Sequence, residues 1–150
     1  MADERKRPMQ DVIDAANDGQ LSVSFNSDVR VNAEEFVYID RDCQAMKDQI
    51  RDLQGVAKGI SSRDNWGLGE DPGSWIQTGK VLVSRFRSKA EGDESGNSVH
   101  AILERHYQIV DSIQELHRVI AQRYLDTDSA FASRYNEVMA SAPQGLQVPK

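Results

Sequence analysis

The stretch NAEEFVYIDRDCQAMKDQIRDLQGVAKGISS, Asn32–Ser62, decides the fold class. Asn32 and Glu35 form the Asn-x-x-Glu variant of a capping box, in which each side chain satisfies a backbone N–H that the first helical turn leaves without a partner. Phe36, Ile39, Cys43, Met46, Ile50, Leu53, Ala57 and Ile60 then alternate at spacings of three and four without a slip. Lys, Arg, Asp and Gln fill most positions between them. This is the pattern of an amphipathic helix of roughly 30 residues, about 45 Å long at 1.5 Å per residue. One helix cannot bury such a seam alone, so Phe36, Ile39, Met46, Ile50, Leu53 and Ile60 are expected to face either the core or a second subunit.

Outward toward the C-terminus, residues 63–73 are dense in turn formers, and the chain is expected to reverse there. Asp71 can cap the next helix with Pro72 in its first position, where a missing N–H costs nothing. Trp75, Gly79, Leu82 and Phe86 then mark a helix over about 73–91, antiparallel to the first. Gly92–Asn97 interrupts it, and Asn97 or Ser98 can cap the helix beyond. Val99, Leu103, His106, Val110, Ile113, Ile120, Tyr124 and Phe131 trace a third helical segment over about 98–139, which either extends the second arm or folds back. Toward the N-terminus, Val12–Ala16 is expected to form one short helical turn ended by Gly19. Beyond it, Leu21, Val23 and Phe25 alternate with polar residues as an extended run would. The expected organisation is a loosely attached arm over 1–31, an all-α hairpin or bundle over 32–140 and a flexible tail over 141–150.

Composition agrees with a helical class. The 150 residues are 39% apolar, 28% charged and only 7% aromatic, and mean hydropathy is −0.60. Such a chain is short of the β-branched and aromatic stock of a sandwich or barrel. No apolar run approaches the length of a membrane span, and Met1–Gln10 has no apolar stretch of the kind a cleaved leader needs. A net charge of −6 with pI near 5.0 argues against nucleic acid or an anionic membrane as main partner. Cys43 is the single cysteine, which excludes an intrachain disulfide.

Catalytic chemistry has few candidates. His100 and Glu104 share a helical face at i, i+4, a spacing that metal ligands use, but His106 and His117 fall on the apolar seam, where a histidine packed with one hydrogen bond is expected. Cys43 reads as a small seam residue rather than a nucleophile. Phosphate-binding loops, nucleophile elbows and paired metal motifs do not occur in the sequence. The expectation is a non-enzymatic protein with no catalytic residue, metal or cofactor.

Between the first two helices stands Trp66-Gly67-Leu68-Gly69, and late in the third segment Tyr124-Leu125-Asp126-Thr127-Asp128 supplies Tyr-x-x-x-Asp. This order of a capped a/d helix, a Trp-Gly reversal, a second arm and Tyr-x-x-x-Asp resembles the WXG family of type VII (ESX) secretion substrates of actinobacteria and firmicutes, over roughly residues 33–131. The family's His-x-x-x-Asp/Glu pattern is similar to His100-x-x-x-Glu104, with Asp111 standing where a later histidine is expected. The second glycine falls one place later than in Trp-x-Gly, and Trp66 lies farther from Tyr124 than a minimal hairpin requires, which places the chain with longer, ESX-associated relatives. The resemblance implies a dimer, homo- or heterotypic, exported folded without a cleaved signal peptide. It also implies that Trp66, Gly67 and Gly69 form the bend, and that Tyr124 and Asp128 form an export signal read by the secretion ATPase. The alternative is a cytosolic helical adaptor or toxin-associated module whose seam serves heterodimerisation.

Overall fold

The computed structural model describes residues 7–22, 31–92 and 95–141, and among them every regular element is a helix. The chain is all-α: α1 (Gln10–Asn17), α2 (Ala33–Ser61), α3 (Gln77–Ala90), α4 (Val99–Thr127) and α5 (Ser129–Ser141). No helix of the described residues is long and apolar enough to cross a membrane.

Local chemistry sets the boundaries. Asn32 Oδ1 accepts the N–H of Glu34 at 3.0 Å, and Glu34 and Glu35 place negative charge at the positive end of α2. Ser98 Oγ likewise accepts the N–H of Ala101 at 3.2 Å to open α4. Two boundaries differ from the sequence expectation. The second helix begins at Gln77 and not near 73, because the Ser74 N–H donates to Asp71 O at 2.9 Å and closes a turn over Pro72-Gly73. Pro72 thus occupies the second place of a turn, which its fixed φ suits as well as a helix start. The segment expected to run unbroken over 98–139 divides at Asp128, whose Oδ1 accepts the N–H groups of Ala130 at 2.9 Å and Phe131 at 3.0 Å and caps a new helix. Residues Val23 and Phe25 of the expected extended run lie outside the described residues, as does the expected tail beyond Ser141.

The chain divides into two compact units. The first, 1–47 with 108–150, holds α1, α5, α2 as far as Lys47 and α4 from Gln108. Here α2 and α4 run antiparallel, joined by Lys47 to Asp111, by the Gln114 amide to Asp40 O at 2.9 Å and by Arg118 to Asp40. Arg7 reaches Asp111 and Glu115, and Arg123 donates to Asn17 O at 3.1 Å, so α1 is tied to α4 at both ends. Arg134 pairs with Glu34 and fixes α5 against the start of α2. Ile13, Val37, Ala121, Phe131 and Val138 are buried among these helices.

The second unit, 48–107, holds α3 with the remainder of α2 and α4. Antiparallel pairing recurs: Arg51 meets Glu104 at 2.7 Å, and the Gln54 amide donates to Glu104 at 2.9 Å. The hairpin expected between 33–62 and 73–91 bears on α3. This helix is tied to the 63–72 segment by Arg87 donating to Arg63 O and Asp64 O, and Ser61 Oγ at the end of α2 donates to Glu91 O at 3.4 Å just beyond it. Ile50, Ala57, Val83 and Ala90 are buried in this unit.

Along α2 the buried line is Ala33, Val37, Lys47, Ile50, Gln54 and Ala57. It is turned away from the expected seam by part of a helical turn. Ile50 and Ala57 are shared, Phe36, Ile39 and Cys43 are half-buried, and Met46, Leu53 and Ile60 are exposed. The cause is polar pairing: Lys47 and Gln54 find partners on α4, so these polar residues occupy the interface and the apolar flank of α2 turns toward water.

Candidate functional site

The Trp66 bend is built by its own sequence. Gly67 and Gly69 adopt φ of 71° and 77°, a left-handed conformation that favours glycine over any side chain. Asn65 Oδ1 accepts the N–H of Gly67 at 2.7 Å, and the Glu70 carboxylate accepts those of Trp66 and of Leu68, the latter at 2.8 Å. Those donors, Trp66 foremost, hold the Glu70 carboxyl below its ordinary range. The indole stacks on Phe86 with ring centroids 5.5 Å apart and planes 13° from parallel, and Arg63 lies over it at 5.6 Å. Arg87 locks the segment of chain behind it, donating to Arg63 O at 2.6 Å and to Asp64 O at 3.1 Å. At Gly79 a Cβ would stand 2.1 Å from Leu68 O, so the bend rests directly on the backbone of α3.

Tyr124 and Asp128 belong to the first unit, and Trp66, Gly67 and Gly69 to the second. Tyr124 is half-buried in an aromatic cluster: its ring lies 5.2 Å from Phe131 and 6.2 Å from Phe36, and Phe36 meets Phe131 edge-on at 5.7 Å. Asp128 is exposed at the break between α4 and α5. Its N–H still donates to Tyr124 O at 2.8 Å, so the acid follows the tyrosine by one hydrogen-bonded turn. The pair is therefore an anchored ring followed by an exposed carboxylate, and the carboxylate also caps α5. Beside Tyr124 runs a groove of about 690 Å³ lined by Leu21, Val31, Phe36, Ile39 and Ile120 among others.

The histidines are dispersed. His117 is half-buried, with Nδ1 2.9 Å from Ile113 O and its ring 6.0 Å from Phe36, whereas His106, expected on the buried seam, is exposed because the polar register turns that flank of α4 outward. His100 Nε2 lies 3.9 Å from Glu91, while Glu104 is engaged by Arg51 and Gln54. Among the described residues no group of three or more His, Cys, Asp or Glu is placed to hold a metal ion. Burial, then the neighbouring Asp40 and Asp42, raise the Cys43 thiol above its ordinary value, which disfavours the thiolate a nucleophile needs.

Several residues that shape these sites escaped the sequence reading. Glu70 could have been found, since an acid four residues after Trp66 in a glycine-rich turn is placed to collect turn N–H groups. Lys47 could not, because its pairing with Asp111 depends on the register of two helices distant in sequence. Asp111 is held below the ordinary carboxylate range, first by the Lys47 hydrogen bond and then by Arg7. No protein-family model, curated protein or solved structure matches the chain.

Proposed function

We propose that the protein is a non-enzymatic substrate or accessory of a type VII secretion system that acts through helix–helix association and is exported by that system. The observation that supports this reading best is the Tyr124–Asp128 element, a ring fixed by Phe36 and Phe131 with an exposed carboxylate one turn later, where a receptor groove could read both. The Trp66 bend, with its two left-handed glycines, is a second rigid landmark of the kind the resemblance implies. The secretion ATPase is the reader that the resemblance supplies.

The alternative, a cytosolic helical adaptor, is favoured by one observation: Asp128 caps α5, which explains an acid at that position without any export. Asp128→Asn separates the two, because asparagine caps a helix about as well as aspartate while removing the charge. In the native host the variant is expected to fold as wild type and accumulate in the cytosol. Wild-type levels of Asp128→Asn in the culture supernatant would sink the signal, and absence of the unaltered protein from the supernatant would favour the adaptor.

A further inference from the structure

The short helix α1 is held by its contacts and not by its own sequence. It has eight residues, no side-chain cap at its start and, at Met9, a left-handed φ of 59° that a residue with a side chain rarely adopts. A helix this short does not persist in water by itself, so what it touches keeps it in place. At its N-terminal end Arg7 reaches Asp111, at 2.5 Å, and Glu115. At its C-terminal end Arg123 donates to Ala16 O at 3.4 Å and to Asn17 O at 3.1 Å. Between these ties α1 runs lengthwise along about three turns of α4, and Ile13 is 0% exposed. Gln114 turns toward α2, where its amide meets Asp40 O, so Ser112, two residues earlier and about 200° around the helix, faces away from α2. Ser112 is nonetheless 0% exposed, and Asp111 and Glu115 on either side of it are the residues Arg7 reaches. The face of α4 opposite α2 is therefore the one that α1 covers.

The pairing of α2 with α4 does not depend on that cover. Lys47–Asp111, Gln114–Asp40 and Arg118–Asp40 join the two helices directly, and Phe36, Tyr124 and Phe131 pack together from α2, α4 and α5. What the end of α1 does adjoin is the Tyr124 element. Arg123, which holds that end, is the residue before Tyr124, and its guanidinium lies against Gly19, where a Cβ would stand 2.7 Å from Nη2. Ala16, Gly19 and Leu21 line the same groove as Ile120, Tyr124 and Thr127. We propose that α1 is a strap that leaves α4 while α2 and α4 stay paired, and that in its docked position it limits access to the groove side of Tyr124. Its control of access rests on the reading of Tyr124–Asp128 as a signal, and its release does not.

Amide hydrogen exchange of the full chain near neutral pH, read by mass spectrometry on α1 and on residues 110–121 of α4, tests the strap. The α1 amides are expected to exchange at least about tenfold faster than those of 110–121, through an opening with a smaller urea slope because it exposes less surface. Arg7→Gln and Arg123→Gln, at opposite ends of α1, are each expected to raise α1 exchange about fivefold and to leave 110–121 unchanged. In the native host Arg7→Gln, whose partners Asp111 and Glu115 lie about two turns or more before Tyr124, is expected to be exported about two- to fivefold faster. Exchange of α1 and 110–121 at one rate with one urea slope, or either variant exchanging as wild type, would overturn the strap. Faster α1 exchange in Arg7→Gln with unchanged export would overturn its control of Tyr124. Export of Asp128→Asn at the wild-type level would sink the secretion reading and leave the exchange pattern as it is, so the two failures are told apart.

Discussion

The two units use the same pair of long helices in different ways. In the first, α2 and α4 are covered by α1 and α5, and large side chains such as Ile13 and Phe131 are buried. In the second, the buried residues along α2 are Ile50, Gln54 and Ala57, while Leu53, Val56 and Ile60 stay in water. A continuous amphipathic pattern therefore does not imply continuous burial. The apolar flank of α2 is half-buried at Phe36, Ile39 and Cys43 in the first unit and exposed at Leu53, Val56 and Ile60 in the second, where α3 is tied to the 63–72 segment, and the exposed portion is where association can act.

The contrast breaks most visibly by truncation. Phe131→Ala removes a ring at the centre of the aromatic cluster and is expected to cost about 3–5 kcal/mol. Leu53→Ala, truncating a side chain that is half in water, is expected to cost less than about 1 kcal/mol when measured on the monomer. Urea unfolding at low protein concentration checks both. Equal losses would mean that the flank of α2 carrying Leu53 is buried in solution.

Within the second unit, glycines sharpen the same point on a smaller scale. Gly79→Ala drives a Cβ against Leu68 O and is expected to lower stability by about 1–3 kcal/mol, with a change in Trp66 emission as the bend lifts from α3. At Gly59 in α2 nothing lies within 4 Å of the added Cβ, and Gly59→Ala is expected to stabilise by about 0.5–1 kcal/mol through helix propensity. A tolerated Gly79→Ala would show that the bend does not rest on α3.

The first unit carries a pH dependence that originates at Asp111. Lys47 and Arg7 lower its folded-state pKa, so the carboxylate contributes stability that is fully present above the ordinary carboxylate range and is lost as pH falls through the lowered value. Asp111→Asn is expected to flatten that acid limb and, at neutral pH, to cost about 1 kcal/mol, because the Asp111 side chain is 35% exposed and solvent screens the pair. Melting temperatures from pH 7 down to about 3 read it. An unchanged acid limb in the variant would assign the pH dependence to other carboxylates.

The same contrast sets how far the sequence speaks. Helix identity and the start of α2 are local matters, and Asn32, Glu35 and the three-four spacing state them openly. The glycines of the bend are equally legible, since a left-handed φ leaves its mark on residue choice. The buried line of α2 is not, because periodicity weighs hydrophobicity alone and is blind to Lys47 and Gln54 being satisfied by residues 64 and 50 positions away. The division at Asp128 is hidden for another reason. Tyr124, Phe131 and Val138 keep helical spacing across it, and a capping side chain looks in sequence like any other acid on a helix face.

The smallest expected effect falls at that division and does the most to separate structure from signal. Asp128 Oδ1 satisfies two backbone N–H groups of α5, and Asp128→Ala would leave both to water, at a cost of about 1 kcal/mol. Asp128→Asn keeps an oxygen in the same place and is expected to change stability by no more than a few tenths of a kcal/mol, the loss of charge at a helix N-terminus being largely screened at an exposed site. If asparagine and alanine destabilised equally, capping would not be what the side chain does, and the charge itself would hold α5 in place. If asparagine is neutral for folding, any loss of export in that variant belongs to recognition of the carboxylate, because the helix, its cap and the packing of Tyr124 against Phe131 remain as they were.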